Sequence, residues 1–288
     1  MPELAPCERQ SKESAITFAC SGAELVGIFH SLEVVSSDVA VLIIVGGPQY
    51  RVGSHRQFVM LARTLATAGY PVLRFDYRGM GDSSGETRTF ETIQDDIRCA
   101  VDALIRLQPG VRRLVLFGLC DAASAAMMYC TTDARVKGLI LANPWARTET
   151  GLATAYTKYY YPARLFSPAF WQKLLEGRVD IAASFRHLIR SLRQSLARSQ
   201  GGRQSDASFV ERMLRSFVRF EGSTLLLISE NDLTAKEFIS LCAGSVDWGR
   251  ATSRQNVLQM VLPGADHTFS ARTALTASNE AILRWLAG

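Results

Sequence analysis

Four runs of the chain are apolar almost from end to end: VAVLIIV (39–45), LVLFG (114–118), VKGLILAN (136–143) and STLLLISE (223–230). A strand with one wet face alternates apolar and polar residues. A short run without that alternation predicts a strand covered on both faces. PVLRFDY (71–77) and NVLQMVLPG (256–264) read as two further strands. Helical patterns lie between them at 56–70 and at 90–107, where Phe90, Ile93, Ile97, Val101, Leu104 and Ile105 share one face, and a last helix is expected over 274–288. Strands alternating with amphipathic helices predict an α/β fold: a mostly parallel central sheet with helices on both faces. Residues 14–34 differ, because SAITFAC and ELVGIFHSL alternate and meet at Ser21-Gly22, which predicts an antiparallel hairpin.

Between 145 and 221 the rhythm breaks. Tyr156, Tyr159, Tyr160, Tyr161, Phe166, Phe170 and Trp171 are followed by an arginine-studded helical pattern (185–199), with Leu188, Leu192 and Leu196 in register, and then by Gly201-Gly202. An insertion of this kind between two sheet strands reads as a helical cap over the sheet's carboxyl edge, where caps shape substrate pockets. The expected organisation is therefore a core in two parts, 1–144 and 222–288, with the cap at 145–221 between them.

Several classes of function fall away on composition. The net charge of +5 comes from 27 Arg and 5 Lys spread along the chain, without the clustered stripe of a nucleic-acid binder. The N-terminal MPELAPCERQSKES lacks the basic-then-apolar order of a signal peptide, which makes Cys7 a poor lipidation site. No window approaches a membrane span. The six cysteines form no CxxC pair and no ligand spacing with histidine, so free thiols, a cytoplasmic setting, no metal site and no cofactor are expected.

The chemistry begins at Gly118-Leu119-Cys120-Asp121-Ala122, where a buried strand turns sharply into a helix of small residues. Such a turn exposes one side chain and aims the first amides of the helix at whatever that side chain attacks. After the last strand comes LPGADHTFS with His267, and after the STLLLISE strand comes ENDLT with Asp232. Together with the FDYRGMGDSSGE loop (75–86), these segments resemble the α/β-hydrolase family in the order nucleophile, acid, histidine. The departures from its G-x-S-x-G elbow are a cysteine for the serine and an alanine for the second glycine. GGPQYR (46–51), GLCDAAS and GADHTF together resemble the hydrolase family (type 1) encoded beside exosortase A systems and exopolysaccharide genes in bacteria.

The resemblance implies a hydrolase or acyltransferase acting on an ester or thioester through an acyl-cysteine. Cys120 is then the nucleophile, His267 the base and later the acid, and Asp232 the group that orients the imidazole. It places the oxyanion donors at the backbone N–H of Asp121 and in the 46–51 loop, where Pro48 has none, so that Gln49 or Gly47 serves. The Asp121 side chain should point away from the sulfur or contact substrate. Tyr50, Arg51 and His55 after that loop, with Tyr156 and Tyr160 in the cap, are candidate substrate contacts, Arg51 for an anionic group. Asp76 and Arg78 are expected to pair within their loop, His30 to be structural and His187 to face solvent. Asp266 and Glu230 are alternative acids. The expected partner is a small acyl substrate, carrier-bound or CoA-linked, with no nucleic acid and no integral membrane segment. A lactone-cleaving dienelactone-hydrolase type, a non-catalytic binding module and a serine enzyme engineered to cysteine remain as alternatives.

Overall fold

The computed structural model describes residues 11–33, 37–146 and 208–288. Eight strands form one sheet: β1 (Lys12–Cys20), β2 (Ala23–Ser31), β3 (Val39–Ile44), β4 (Val72–Phe75), β5 (Arg113–Leu119), β6 (Val136–Ala142), β7 (Ser223–Ser229) and β8 (Val257–Leu262). Their order is β1-β2-β4-β3-β5-β6-β7-β8. The pairs β1/β2 and β2/β4 are antiparallel and all others are parallel. After β3 the chain runs outward to β4 and then returns to the other side of β3 as β5. The loops leaving β3 and β5 therefore diverge, and the carboxyl ends of these two strands bound a crevice.

The described helices are α1 (Gln57–Thr67), α2 (Gln94–Leu107), α3 (Asp121–Tyr129), α4 (Phe209–Arg219), α5 (Leu233–Gly244), α6 (Val246–Thr252) and α7 (Arg272–Ala287). Every residue of β3 is buried, as its unbroken apolar run requires. The two sheet faces divide the core. On one, Leu42, Leu116, Leu139 and Leu226 pack against Ile97, Val101 and Leu104 of α2 and Met213 and Phe217 of α4. On the other, Val41, Val115, Ile140 and Leu225 pack against Phe58, Leu61 and Leu65 of α1 and Ile282 of α7. Each fully buried aliphatic or aromatic side chain contributes about 1.5–3 kcal/mol.

Local chemistry explains the helix boundaries. α1 ends at Ala68 because Gly69 takes φ 94°, and the N–H groups of Gly69 and Tyr70 then close on the carbonyls of Ala66 and Leu65 at 2.9 and 3.0 Å. This stop is available to glycine at almost no steric cost. α2 starts at Gln94 rather than 90, since Thr92 N–H turns back to the Thr89 carbonyl at 2.8 Å. Phe90 instead packs edge-on against Phe209 of α4.

Three expectations change. Of the span assigned to a cap, residues 147–207 lie outside the described residues, with Tyr156, Tyr160 and His187 among them. Residues 209–219, by contrast, form α4, which opens on a capping box between Ser208 and Glu211 and buries Val210, Met213 and Phe217 in the core. That helix belongs to the core layer, and its apolar face at helical spacing is the reason. Asp76 and Arg78 do not pair. Arg78 donates to both carboxylate oxygens of Asp96 on α2, at 2.9 and 2.7 Å, and its own N–H joins Oδ1 at 2.9 Å. The arginine points down into the helix layer, whereas Asp76 points up toward Arg51. Two helices, α5 and α6, also stand between the last two strands, where none was foreseen. His30 is buried and accepts from Arg74 Nε at 2.9 Å, a structural role as expected.

Candidate active site

Cys120 sits between the last residue of β5 and the first of α3 with φ 62° and ψ −123°. A non-glycine residue with this backbone is strained by about 1–3 kcal/mol and needs neighbours that hold it. Its N–H donates to the Ala142 carbonyl at 2.9 Å, and its carbonyl accepts from Ala123, Ser124 and Trp145 at 3.1, 3.3 and 3.2 Å. The turn is so tight that a Cβ at Gly118 would lie 2.4 Å from the Ala122 carbonyl oxygen. Only glycine fits there.

Asp232 caps α5. Its Oδ1 accepts from Thr234 N–H and its Oδ2 from Ala235 N–H, each at 3.1 Å. The same Oδ2 meets Nδ1 of His267 at 2.8 Å. Cys120 lies near enough to the imidazole to raise its pKa, which brings the three expected residues together around one ring. That pKa is pushed up to about 10, by the bond to Asp232 first and by Cys120 second, against the opposing effect of burial. Glu230 and Asp266 are committed elsewhere: Glu230 accepts from Gly264 N–H at 2.8 Å, and Asp266 from Ser270 N–H at 2.8 Å.

The sequence reading missed Asn143. This residue follows β6 with φ 45° and is fully buried. Its amide donates to Ser229 Oγ at 2.9 Å and to the His267 carbonyl at 3.2 Å, and its Oδ1 accepts from Ser229 N–H at 2.8 Å. One side chain thus ties the ends of β6 and β7 to the histidine loop. The available signal was an asparagine, rather than another apolar residue, ending VKGLILAN.

The loop after β3 corrects two expectations. The N–H of Gly47 donates to Asp121 Oδ2 at 3.0 Å, and the N–H of Gln49 turns back to the Gly47 carbonyl at 2.9 Å. Neither is a vacant oxyanion donor. Arg51 is likewise engaged: its N–H donates to Asp76 Oδ1 at 2.6 Å, and its guanidinium pairs with Asp76 and, at 2.7 Å, with Asp82. With two carboxylates on it, Arg51 anchors the loop instead of offering charge to a substrate anion. Tyr50 is 54% exposed. His55 is exposed too, near enough to Asp266 to help hold that carboxyl below its usual range.

Asp121 is the first residue of α3, and its side chain turns to the 46–51 loop. Burial pushes its pKa up, opposed by the N–H groups of Gly47, Ala122 and Asp121 itself. Its Oδ1 is buried without a hydrogen-bond partner. Among the described residues no group of three or more His, Cys, Asp or Glu side chains is arranged to hold a metal ion. No helix among them is long and apolar enough to cross a membrane.

A doubly covered, mostly parallel sheet with a strained elbow after β5, an acid after β7 and a histidine after β8 defines the α/β-hydrolase fold. The chain belongs to the family described as Serine aminopeptidase, S33, whose model matches residues 38–233, and is thus a hydrolase. Solved structures agree on the fold. An esterase of Pyrococcus furiosus superposes with a TM-score of 0.65 at 16% identity, covering 100% of this chain and 95% of that one. Est1E of Butyrivibrio proteoclasticus, solved with ferulic acid bound, gives 0.60 at 17% identity over 95% of this chain and all of its own. An alpha/beta hydrolase of unknown function from Agrobacterium tumefaciens gives 0.58 at 15%, over 96% and 97%. No curated protein matches the sequence.

Proposed function

We propose that the protein is an esterase or thioesterase, or the corresponding acyltransferase, working through an acyl-cysteine on Cys120. The observation that carries this reading is a single imidazole held by Asp232 at 2.8 Å and close enough to Cys120, at a strained elbow, for the sulfur to raise its pKa. Asp232 accepts from Nδ1, so Nε2 is the nitrogen left to take the thiol proton. The thiolate attacks the acyl carbon, an S–C bond forms, and the carbonyl π electrons move to oxygen. The N–H of Asp121, at the positive end of α3, is one donor to that oxygen. Collapse expels the alcohol or thiol, which takes the proton from Nε2. Water, or an acceptor hydroxyl or amine, then attacks the thioester.

Esters and thioesters fit this chemistry better than unactivated amides, since a thiolate is expelled from the tetrahedral adduct far more readily than an unprotonated amine. The family's serine is a cysteine here, and we read it as the working nucleophile because its two partners are both in place. The five described cysteines are free thiols, which supports a reducing, cytoplasmic setting. The resemblance of GGPQYR, GLCDAAS and GADHTF to the exosortase-associated hydrolases supports a substrate in exopolysaccharide-related metabolism. The test is intact-protein mass spectrometry after brief exposure to p-nitrophenyl esters and acyl thioesters, with Cys120→Ala and Cys120→Ser alongside. An adduct on Cys120, lost in the alanine variant and slowed in His267→Ala, is expected. Labelling of Cys120 no faster than of Cys242 would reject the reading.

A further inference from the structure

β8 closes one end of the sheet, with β7 as its strand neighbour. Thr224 N–H donates to the Asn256 carbonyl at 2.8 Å and Glu230 N–H to the Leu262 carbonyl at 3.2 Å, so the even-numbered residues of β8 turn their backbone groups toward β7. The odd-numbered ones turn theirs outward. Val257 N–H is taken by the Arg254 carbonyl at 3.0 Å. The N–H groups of Gln259 and Val261, and the carbonyls of Val257, Gln259 and Val261, are bonded to no other group among the described residues.

Such an edge is a template for another strand, and chains usually defend it with charge, proline or a bulge. The opposite edge is defended: β1 opens on Lys12 and Glu13, and Glu13 pairs with Arg63. β8 reads Val-Leu-Gln-Met-Val-Leu, with no charge, no proline and an unbroken register against β7. Its exposed hydrophobics are Leu258, 50% exposed, and Val261, 53% exposed, on opposite faces of the strand. On the Leu258 side the apolar surface continues, because Leu258 and Met260 line a cavity of about 730 Å³ together with Trp285 and Leu286 of α7.

The strand that fits this edge is its own copy. A two-fold axis through Gln259 lets Gln259 exchange both backbone bonds with the partner's Gln259, and lets Val261 N–H reach the carbonyl of the partner's Val257. Side chains then match across the seam: Leu258 opposite the partner's Met260, Val261 opposite the partner's Val257, and the Gln259 amide opposite that of the partner's Gln259. Every pair is apolar on apolar or amide on amide. Moving the axis to Met260 would set Val257 against the partner's Pro263, which has no N–H to give.

We propose that β8 is a homodimerisation edge, through which two copies of this chain pair antiparallel about Gln259 and join their sheets into one. Because the two β8 strands run in opposite directions, the carboxyl edges of the two sheets, and the two Cys120 sites on them, open on opposite sides of the joined sheet. No residue of β8 belongs to the triad, so the dimer stands independently of the acyl-cysteine reading.

The test is sedimentation equilibrium on the full chain, with far-UV circular dichroism and alkylation of Cys120 by iodoacetamide as checks that each variant is folded. The parent is expected to be dimeric at micromolar concentration. Leu258→Lys and Val261→Lys each put a charge at an exposed edge position and should weaken dimerisation about tenfold or more. Gln259→Pro deletes an outward N–H that the single copy does not use and should do the same. The register has its own test. Leu258→Lys and Met260→Glu, each weakened alone, should form a heterodimer when mixed, since position 258 of one copy lies opposite position 260 of the other. A parent that stays monomeric, a dimer indifferent to both lysine variants, or a mixture that fails to pair would each overturn the proposal. A monomeric parent whose Gln259 and Val261 amides resist hydrogen exchange would overturn it too, and would give the edge to another segment of the same chain.

Discussion

Asp232 performs two tasks with one carboxylate, and separating them makes a sharp test. It is 5% exposed, it caps α5 through Thr234 and Ala235, and it holds the His267 ring at 2.8 Å. In Asp232→Ala both are lost. The cap accounts for about 1 kcal/mol. A charge-assisted hydrogen bond to the imidazole adds about 1.5 kcal/mol, at the low end of its range because the ring is 36% exposed and partly screened by water. Together they give a loss of about 2–3 kcal/mol in urea unfolding. Asp232→Asn keeps an acceptor for the cap and should lose about 1–2 kcal/mol. Its amide, however, presents N–H to Nδ1 and forces the proton to Nε2. That nitrogen then cannot take the thiol proton, and acylation should fall about 10²–10⁴-fold.

The pH dependence provides a second reading of the same pair. His267 binds its proton up to about 10 in the folded chain, against 6.5 as the ordinary value. The stabilisation is therefore fully present below about 6.5 and is lost as pH rises to about 10. Unfolding measured at pH 6 and pH 10 should show a steeper loss in the parent than in Asp232→Asn. Equal slopes, or alanine and asparagine variants of equal stability and equal acylation rate, would refute the reasoning.

Two other perturbations follow from local geometry. Gly118→Ala puts a methyl group 2.4 Å from backbone at Ala122, so α3 must shift, and Cys120 should lose its labelling advantage with a stability cost of about 1–3 kcal/mol; unchanged alkylation kinetics would count against the elbow's tightness. His30 is pushed down to about 4, by burial first and Arg74 second, so the parent should lose stability as pH falls from about 6.5 through about 4. His30→Phe should flatten that acid slope in urea titrations while costing about 1–3 kcal/mol for the stranded Arg74 Nε.

The legible part of this chain was what depends on local order. Cys120, Asp232 and His267 each follow a strand, and parallel strands deliver their following residues to one edge, so the three could be assembled from sequence. Pairings across the sheet could not. Arg78 meets Asp96 and Arg51 meets Asp76, 18 and 25 residues away. Asp121 meets Gly47 across 74 residues. For Arg78 the nearer Asp76 was the partner the sequence offered, and only the folded geometry chose Asp96 over it. α5 was hidden for another reason: of its twelve residues only Ala235, Glu237 and Phe238 are buried, too few to make a periodic stripe.

The place where the chain leaves the core after β6 has a further meaning. Trp145 N–H is bonded to the carbonyl of Cys120, and the Trp145 carbonyl accepts from Ser124 Oγ at 2.6 Å. At the far end, Ser208 starts α4 with a reciprocal cap. Residues 147–207 are thus spliced between two fixed posts, one of them fastened to the nucleophile's own peptide. A pull on the chain at Trp145 is therefore felt first by the Cys120 carbonyl and the Ser124 hydroxyl, so the nucleophile's peptide doubles as a mooring.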